Sequence, residues 1–208
     1  MKKIYSYLIM AIAVAGMVAC TPSHDKTIAN LKAAIDGETT ASTKYAAFAE
    51  QATKDSLYNI AALFKATSQA EAIHIKNHQA ALATLGVTDY MGGVQAFDVK
   101  STAENLKAAI DGETYEFTTM YPNFIKEAQT EKVQEALVSF NFAQDAEKGH
   151  AKLYADALAK IATPDALAKI YYVCPKCGNT YAGTPSKVCE LCQTPYSAFI
   201  ISEAVIPL

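Results

Sequence analysis

Tryptophan is absent from this 208-residue sequence, and glycine (9) and proline (7) are scarce, with only Pro22 and Pro122 lying before Pro164. Both scarce residues interrupt helices, so their low number, together with abundant alanine, favours an α-helical chain. A basic excess is also missing, because the formal net charge is -3. Nucleic-acid binding depends on Lys and Arg side chains that neutralise phosphates, so nucleic acid is not an expected partner.

Long apolar runs are missing as well, except at the N-terminus. Lys2 and Lys3 precede a mostly apolar stretch that ends at Cys20, as in secretory signal peptides. The stretch is shorter than the roughly 20 residues of a spanning helix, which favours a signal peptide over a transmembrane anchor. Its last residues, Met17-Val18-Ala19-Cys20, resemble a bacterial lipobox in which the cysteine is lipidated, although Met17 replaces the usual leucine.

These features predict the cellular location of the protein. We expect residues 1-20 to be the signal peptide, Cys20 to be the lipidation site and residues 21-26 to be a tether. The mature protein would then be an exported lipoprotein, bound to a membrane only through its lipid and facing the periplasm or the cell exterior. Ordinary export with a free Cys20 is the alternative.

A duplication organises the middle of the chain. The decapeptide NLKAAIDGET occurs at residues 30-39 and again at 105-114, and such a long identity is not a chance event. Further along, a Glu-x-x-His motif occurs at residues 71-74 and again at 147-150, at almost the same offset. The repeating unit is therefore predicted to be a pair of helices that is used twice.

Apolar residues recur at helical spacing in four segments. We predict helices at residues 25-52, 55-85, 101-129 and 132-162. A Ser-Thr-Ala-Glu capping box at residues 101-104 precedes the third helix. Short turns would make each pair of helices an antiparallel hairpin, while residues 86-100 are long enough to cross the bundle. One long crossover is typical of ferritin-like four-helix bundles.

Carboxylates occur where the helical pattern requires apolar side chains. Glu38 continues the apolar stripe of Leu31 and Ile35, and Glu113 occupies the same place in the second copy. Buried carboxylates normally pair, protonate or bind a cation, and carboxylate with imidazole suits iron or manganese. Bundles with two metal ions use one Glu from each of two helices and Glu-x-x-His from each of the others. The predicted ligands are Glu38, Glu71, His74, Glu113, Glu147 and His150.

The duplication fails at one informative place. Glu116 lies one turn after Glu113, but the matching position in the first copy is Ala41, so a seventh ligand is predicted on one side only. His78 is expected at the edge of the site or in solvent, because the ligand set is complete without it. Solvated Glu and His residues on amphipathic helices are the alternative to a metal site, but two coinciding motifs disfavour it.

Four cysteines form a second candidate metal site near the C-terminus. They occur as two Cys-x-x-Cys pairs, at Cys174, Cys177, Cys189 and Cys192. This spacing brings four thiolates to one tetrahedral ion, either zinc or iron. Two disulfides are the alternative, since exported chains meet oxidants, but two repeated short spacings favour a metal.

Residues 27-201 resemble the rubrerythrins. They match the family in the order GE, E-x-x-H, GE-x-x-E and E-x-x-H, in the stretch ETYEFTTMYPNF at 113-124, and in the four cysteines. The resemblance implies an all-α, four-helix ferritin-like bundle over residues 27-163, followed by a small rubredoxin-like domain over residues 169-208. It also implies two Fe in the bundle and one Fe at the four cysteines.

The resemblance further implies a mechanism and an assembly. Glu116 would exchange with His74 on one iron when the cluster is reduced, and Tyr45 and Tyr121 would form hydrogen bonds beside the cluster. The expected catalytic residues are these four, Glu116, His74, Tyr45 and Tyr121. The protein would be a homodimeric peroxidase that protects against oxidative stress by reducing hydrogen peroxide. One subunit's rubredoxin domain would face the other subunit's cluster. A separate donor protein would supply electrons to the rubredoxin domain, and the resemblance does not specify its identity.

Two other functions fit the same residues. A ferritin-like protein that oxidises or binds iron would use the same bundle, and a non-enzymatic lipoprotein would hold structural zinc at the cysteines. The chain also departs from the resemblance, because Glu190 and Gln193 stand where the family often has Pro and Gly. Contacts to the cysteine sulfurs tune the redox potential, so this departure concerns the potential more than the site.

Overall fold

The computed structural model describes residues 23-205, and most of them form a bundle of long helices. The helices are α1 (Asp25–Lys54), α2 (Tyr58–Thr84), α3 (Thr102–Tyr115), α4 (Tyr121–Glu131) and α5 (Gln134–Ala159). A π-helical segment, Glu116–Met120, joins α3 to α4 without a break, so these two act as one long helix. The predicted ferritin-like bundle is confirmed, and each predicted helix end lies within three residues of the observed end.

The two hairpins turn in the same way, and the crossover joins them. Each short turn contains one residue with a left-handed backbone, Ser56 (φ 60°) in the first hairpin and Lys132 (φ 59°) in the second. The predicted capping box is present, since the Ser101 hydroxyl accepts from Glu104 N and the Glu104 carboxylate accepts from Ser101 N. Residues 86-100 contain no helix or strand and run from α2 to α3.

The second half of the bundle has one residue more than the first, and the π segment accommodates it. The decapeptides start at residues 30 and 105, which are 75 apart, whereas the left-handed turn residues 56 and 132 are 76 apart. Segment Glu116–Met120 lies between these two landmarks. A π turn adds one residue within a continuous helix. The residues after it therefore return to the same helix face as their counterparts in the first half.

Two apolar clusters fill the bundle, and a layer of buried polar groups separates them along the helices. One cluster contains Tyr45, Phe48 and Phe64, and the other contains Leu31 and Phe140. Full burial of such side chains stabilises the fold by about 1.5–3 kcal/mol each. These clusters hold the four helices rigidly on either side of the polar layer.

The C-terminal domain is a small antiparallel sheet packed on α2. Its strands are β1 (Ile170–Val173), β2 (Thr180–Ala182) and β3 (Ile200–Glu203), in the order β2-β1-β3. The Ser202 hydroxyl donates to the carbonyl of Ala62 on α2 over 3.0 Å. Tyr171 and Val173 of β1 extend the apolar cluster of Tyr45. This packing brings the cysteine-bearing loops close to the centre of the bundle.

The predicted signal peptide and Cys20 lie outside the described residues. Within residues 23-205, no helix combines the length and the apolar character that crossing a membrane requires.

Candidate metal centres

Four helices direct charged side chains into one layer of the bundle. These side chains are Glu38 from α1, Glu71 and His74 from α2, Glu113 from α3, and Glu147 and His150 from α5. All six are buried, with at most 1% of their surface exposed. Each Glu-x-x-His motif presents both residues to the interior because residues three apart on a helix share a face.

The ligand atoms form two overlapping sets. One set comprises Glu38, Glu71, His74 and Glu147, and the other comprises Glu71, Glu113, Glu147 and His150. Within each set, the ligand atoms lie within 4.8 Å of one another. Glu71 and Glu147 belong to both sets, so each of these two carboxylates can bridge two ions.

The atoms that face this layer lack hydrogen-bond partners. They are Glu38 Oε2, both oxygens of Glu71, His74 Nδ1, Glu113 Oε2, both oxygens of Glu147 and His150 Nδ1. They are nevertheless close together, since His74 Nδ1 lies 2.9 Å from Glu147 and His150 Nδ1 lies 2.7 Å from it. Unpartnered buried polar atoms are destabilising. Carboxylate oxygens and imidazole nitrogens that converge without hydrogen bonds are suited to bind a pair of cations.

The charge of the layer leads to the same conclusion. Burial and the surrounding carboxylates raise the pKa of Glu38 and of Glu113, and raise the pKa of Glu116 to about 8. Burial would also raise the pKa of Glu147, but the two histidines outweigh it and lower that pKa to about 2. Three carboxyl groups therefore resist ionisation, first because they are removed from water and then because neighbouring carboxylates place negative charge in excess. Two divalent cations would neutralise that excess.

Two tyrosines link the halves of the bundle by hydrogen bonds to the cluster. Tyr45 of α1 donates to Glu113 Oε1 on α3 over 2.8 Å, and Tyr121 of α4 donates to Glu38 Oε1 on α1. Each tyrosine thus holds one oxygen of a carboxylate and leaves Oε2 directed at the metal layer. The structure places both predicted tyrosines beside the cluster, and their catalytic role stays a prediction.

Glu116 stands at the edge of the cluster. It is the first residue of the π segment, it is only partly buried, and it belongs to neither set of ligand atoms. His74, in contrast, belongs to the first set. The arrangement therefore has His74 among the ligand atoms and Glu116 outside them, and the exchange of the two residues stays a prediction.

His78 is not in solvent, because none of its surface is exposed. Its Nδ1 lies 2.7 Å from the hydroxyl of Ser139 on α5, and its Nε2 lies 3.1 Å from the hydroxyl of Tyr121. Burial, assisted by the neighbouring His74, lowers the pKa of His78 to about 3, so this imidazole is neutral. The position of His78 one turn after His74 was a sequence signal for burial. No local pattern indicated Ser139.

The four cysteines are free and converge on one point. The Sγ atoms of Cys174 and Cys192 are 3.4 Å apart, and those of Cys177 and Cys189 are 3.5 Å apart. A disulfide needs about 2.05 Å, whereas a tetrahedral ion with 2.3 Å bonds places sulfurs about 3.8 Å apart. The disulfide alternative is therefore wrong. Gln193 keeps a positive φ of 60°, so the backbone that favours glycine is retained despite the substitution.

The two metal centres are in direct contact within one chain. His74 Nε2 donates to the carbonyl of Cys177 over 3.1 Å, and His150 Nε2 donates to the Thr180 hydroxyl over 3.0 Å. Gly178 permits the approach, because a Cβ there would lie 2.2 Å from His74 Nε2. In the described chain the C-terminal domain lies against its own cluster, since its sheet packs on α2. That one subunit's domain faces the other subunit's cluster stays a prediction.

Comparisons with known proteins agree with this architecture. The family model described as rubrerythrin matches residues 29-158. Nigerythrin of Nitratidesulfovibrio vulgaris is 39% identical over 173 residues, which cover 83% of this chain and 85% of that protein. Rubrerythrin-2 of Clostridium acetobutylicum is 35% identical over 171 residues, which cover 81% of this chain and 92% of that protein.

A solved structure of nigerythrin in its fully reduced, all-ferrous state has a TM-score of 0.79 and 38% identity, and it covers 90% of this chain and 91% of that one. The match extends over the bundle and the C-terminal domain. The Glu and His cluster is accordingly a di-iron site, and the four cysteines form a rubredoxin-like site. On these grounds the chain belongs to the rubrerythrin family.

Proposed function

We propose that this protein is a peroxidase that reduces hydrogen peroxide to water, with the balance H2O2 + 2 H+ + 2 e- → 2 H2O. The observation that carries the proposal is the hydrogen bond between His74, a di-iron ligand, and Cys177, a ligand of the four-cysteine centre. Iron storage does not require a centre that delivers electrons. A di-iron site joined directly to a rubredoxin-like site is suited to repeated reduction of a substrate.

When bound, the two irons of the cluster supply the electrons that cleave the O–O bond, and the iron of the four-cysteine centre supplies the electrons that replace them. The side chains prepare the layer for this chemistry. Tyr45 and Tyr121 hold Glu113 and Glu38 in place. Glu116, partly exposed at the edge, is positioned to pass protons between solvent and the buried layer.

The test compares two oxidants. Anaerobically reduced protein is mixed separately with hydrogen peroxide and with dioxygen, and oxidation of both centres is followed by visible absorption in a stopped-flow instrument. We expect peroxide to oxidise the protein faster and to consume two electrons per molecule. Faster oxidation by dioxygen would contradict the proposal and support a ferritin-like iron oxidase. A colourless protein that contains zinc alone would support the non-enzymatic alternative.

The contact between the centres has its own matched pair of variants. Gly178 and Gly183 both have positive φ, 76° and 74°, but only a Cβ at Gly178 would collide with His74. Gly178→Ala is expected to slow the transfer of electrons between the centres, and Gly183→Ala shares the backbone strain without the collision. Equal transfer rates in the two variants would show that the His74 contact is not the route.

We also propose that the protein is an exported lipoprotein, as its N-terminal residues indicate. Labelling of cells with radioactive palmitate is expected to label the wild type and not Cys20→Ser, which would also leave the membrane fraction. Label on both proteins would rule out Cys20 as the lipid site.

We propose a homodimer as the assembly. Analytical ultracentrifugation of the full chain tests this, and a monomer would be the contrary result.

A further inference from the structure

The two cluster-binding tyrosines are supported in different ways. Tyr45 and Tyr121 each donate to one cluster carboxylate, Glu113 and Glu38 respectively. Four residues after the histidine ligands, the two halves differ, because His78 follows His74 whereas Tyr154 follows His150. In each half this position faces the cluster-binding tyrosine of the other half, with His78 beside Tyr121 and Tyr154 beside Tyr45. The difference therefore lies directly behind the carboxylates.

The hydrogen bonds around His78 determine its tautomer. A metal-facing Glu38 carboxylate only accepts, so the single hydroxyl proton of Tyr121 is used in that bond. The oxygen of Tyr121 must then accept from His78 Nε2 over 3.1 Å. The Ser139 hydroxyl has no other acceptor among the described residues, so it donates to His78 Nδ1 over 2.7 Å. Three donors therefore run in one direction, from Ser139 through His78 and Tyr121 to the carboxylate.

Tyr154 does not act on Tyr45 in this way. Its hydroxyl forms a hydrogen bond with the Thr67 hydroxyl, and its ring stands edge-on to that of Tyr45 with centroids 5.4 Å apart. Tyr45 otherwise packs against Phe48 and Phe64. Among the described residues, the hydroxyl of Tyr45 has Glu113 as its only hydrogen-bond partner.

We propose that Ser139 and His78 are positioning residues that act through Tyr121 to weaken electron donation by Glu38, so that the Glu38 side of the di-iron site is reduced more easily than the Glu113 side. Hydrogen bonds in series polarise one another, so Tyr121 becomes a stronger donor than Tyr45. A carboxylate that is more strongly hydrogen-bonded at Oε1 donates less charge through Oε2, and this favours the ferrous ion. The inference goes beyond the proposed function because it does not require peroxide.

The first test measures the reduction equilibrium of the di-iron site by redox titration, with the mixed-valence form followed by electron paramagnetic resonance. His78→Phe is expected to make reduction less favourable, by about 10-fold in the equilibrium constant, the lower end of what loss of an outer hydrogen-bonding partner costs. Tyr154→Phe is the matched control at the equivalent position and is expected to cause no shift. No shift in His78→Phe, or equal shifts in the two variants, would overturn the proposal.

Smaller changes keep the test valid if His78→Phe does not fold. Ser139→Ala is expected to shift the equilibrium in the same direction by less, and Ser139→Thr, which keeps a hydroxyl, should restore it. The titration of the four-cysteine centre in the same samples serves as an internal reference and should not move. A shift in both centres, or no rescue by threonine, would indicate a general structural effect and refute the assignment.

The second test reads the tautomer without electron transfer. Nitrogen-15 NMR of histidine-labelled, zinc-loaded full-length protein is expected to show His78 neutral with its proton on Nε2, and Ser139→Ala should lose this fixed state. A proton on Nδ1 in the wild type would contradict the proposal. Neither test contains peroxide. The peroxidase proposal could therefore fail without changing these results, so the failure of one proposal can be distinguished from the failure of the other.

Discussion

The first half of the bundle, α1 and α2, and the second half, α3 to α5, carry the same decapeptide and the same Glu-x-x-His motif. They supply equal numbers of ligands to two ions. They differ where the second half has the π segment, Glu116 in place of Ala41 and Tyr154 in place of His78. The shared residues build a symmetric metal site, and the differing residues surround it with unequal environments. Variants that remove one difference at a time test this separation.

The largest effect is expected from the carboxylates that both ions share. Glu71→Ala and Glu147→Ala each remove a ligand from both sets, so both irons of the cluster should be lost. Iron content is expected to fall from about three to about one per chain, with the absorption of the four-cysteine centre intact. Metal analysis measures this, with the exposed Glu135→Ala on α5 as the control. Retention of cluster iron in either variant would argue against a shared bridging role.

Glu116→Ala makes the second half resemble the first. The six buried ligands remain, so iron content should be unchanged, whereas oxidation by peroxide should slow by about 100-fold as a positioned proton-transfer group is lost. Stopped-flow mixing of the reduced variant with peroxide measures the rate. A wild-type rate would mean that this departure from symmetry has no part in the chemistry.

Tyr45→Phe and Tyr121→Phe remove one equivalent hydrogen bond from each half. Each is expected to lower iron affinity by about 10-fold, because each frees one oxygen of a buried carboxylate from its partner. Competition with a chelator measures the affinity. If only one variant weakened binding, the two halves would differ in how they hold the metal as well as in their environments.

The starts of the halves differ as well. Ser101 caps α3 with a side-chain hydrogen bond, whereas His24 at the start of α1 makes none. Ser101→Ala is expected to lower the free energy of unfolding by about 1 kcal/mol, and His24→Ala should leave it nearly unchanged. Urea denaturation of the full chain measures both. Equal losses would show that the cap contributes nothing specific to the second half.

The smallest effect concerns a contact between the halves that lies outside the metal layer. Asp55 accepts from the backbone N and hydroxyl of Thr102 over 3.2 and 2.6 Å, and these bonds lower the pKa of Asp55 below 3.8. A lowered pKa contributes stability above the unfolded value, and this is lost as pH falls through the folded value. Because Asp55 is exposed, Asp55→Asn should cost less than about 1 kcal/mol at pH 7, and the cost should shrink as the pH falls through the folded pKa. A cost that stays equal as the pH falls would exclude this origin.

The sequence was most informative where the pattern is local. The apolar stripe on each helix predicted that Glu38 and Glu113 point inward. The spacing of one helical turn predicted that both residues of each Glu-x-x-His motif share a helix face. The π segment was missed, although its signal was present in the change of the repeat offset from 75 to 76 residues. Ser139 was missed because it lies 61 residues from His78 and no spacing connects them.

Local sequence patterns were sufficient to predict the helical bundle, the buried Glu and His residues of the metal layer and the four-cysteine site, because helical periodicity and short motifs depend on neighbours along the chain. Which groups meet between helices became visible in the folded structure. It paired Tyr45 with Glu113, placed His78 between Ser139 and Tyr121, and set Cys177 against His74. These contacts join residues distant in sequence, and their distances depend on how α2, α5 and the C-terminal sheet pack together.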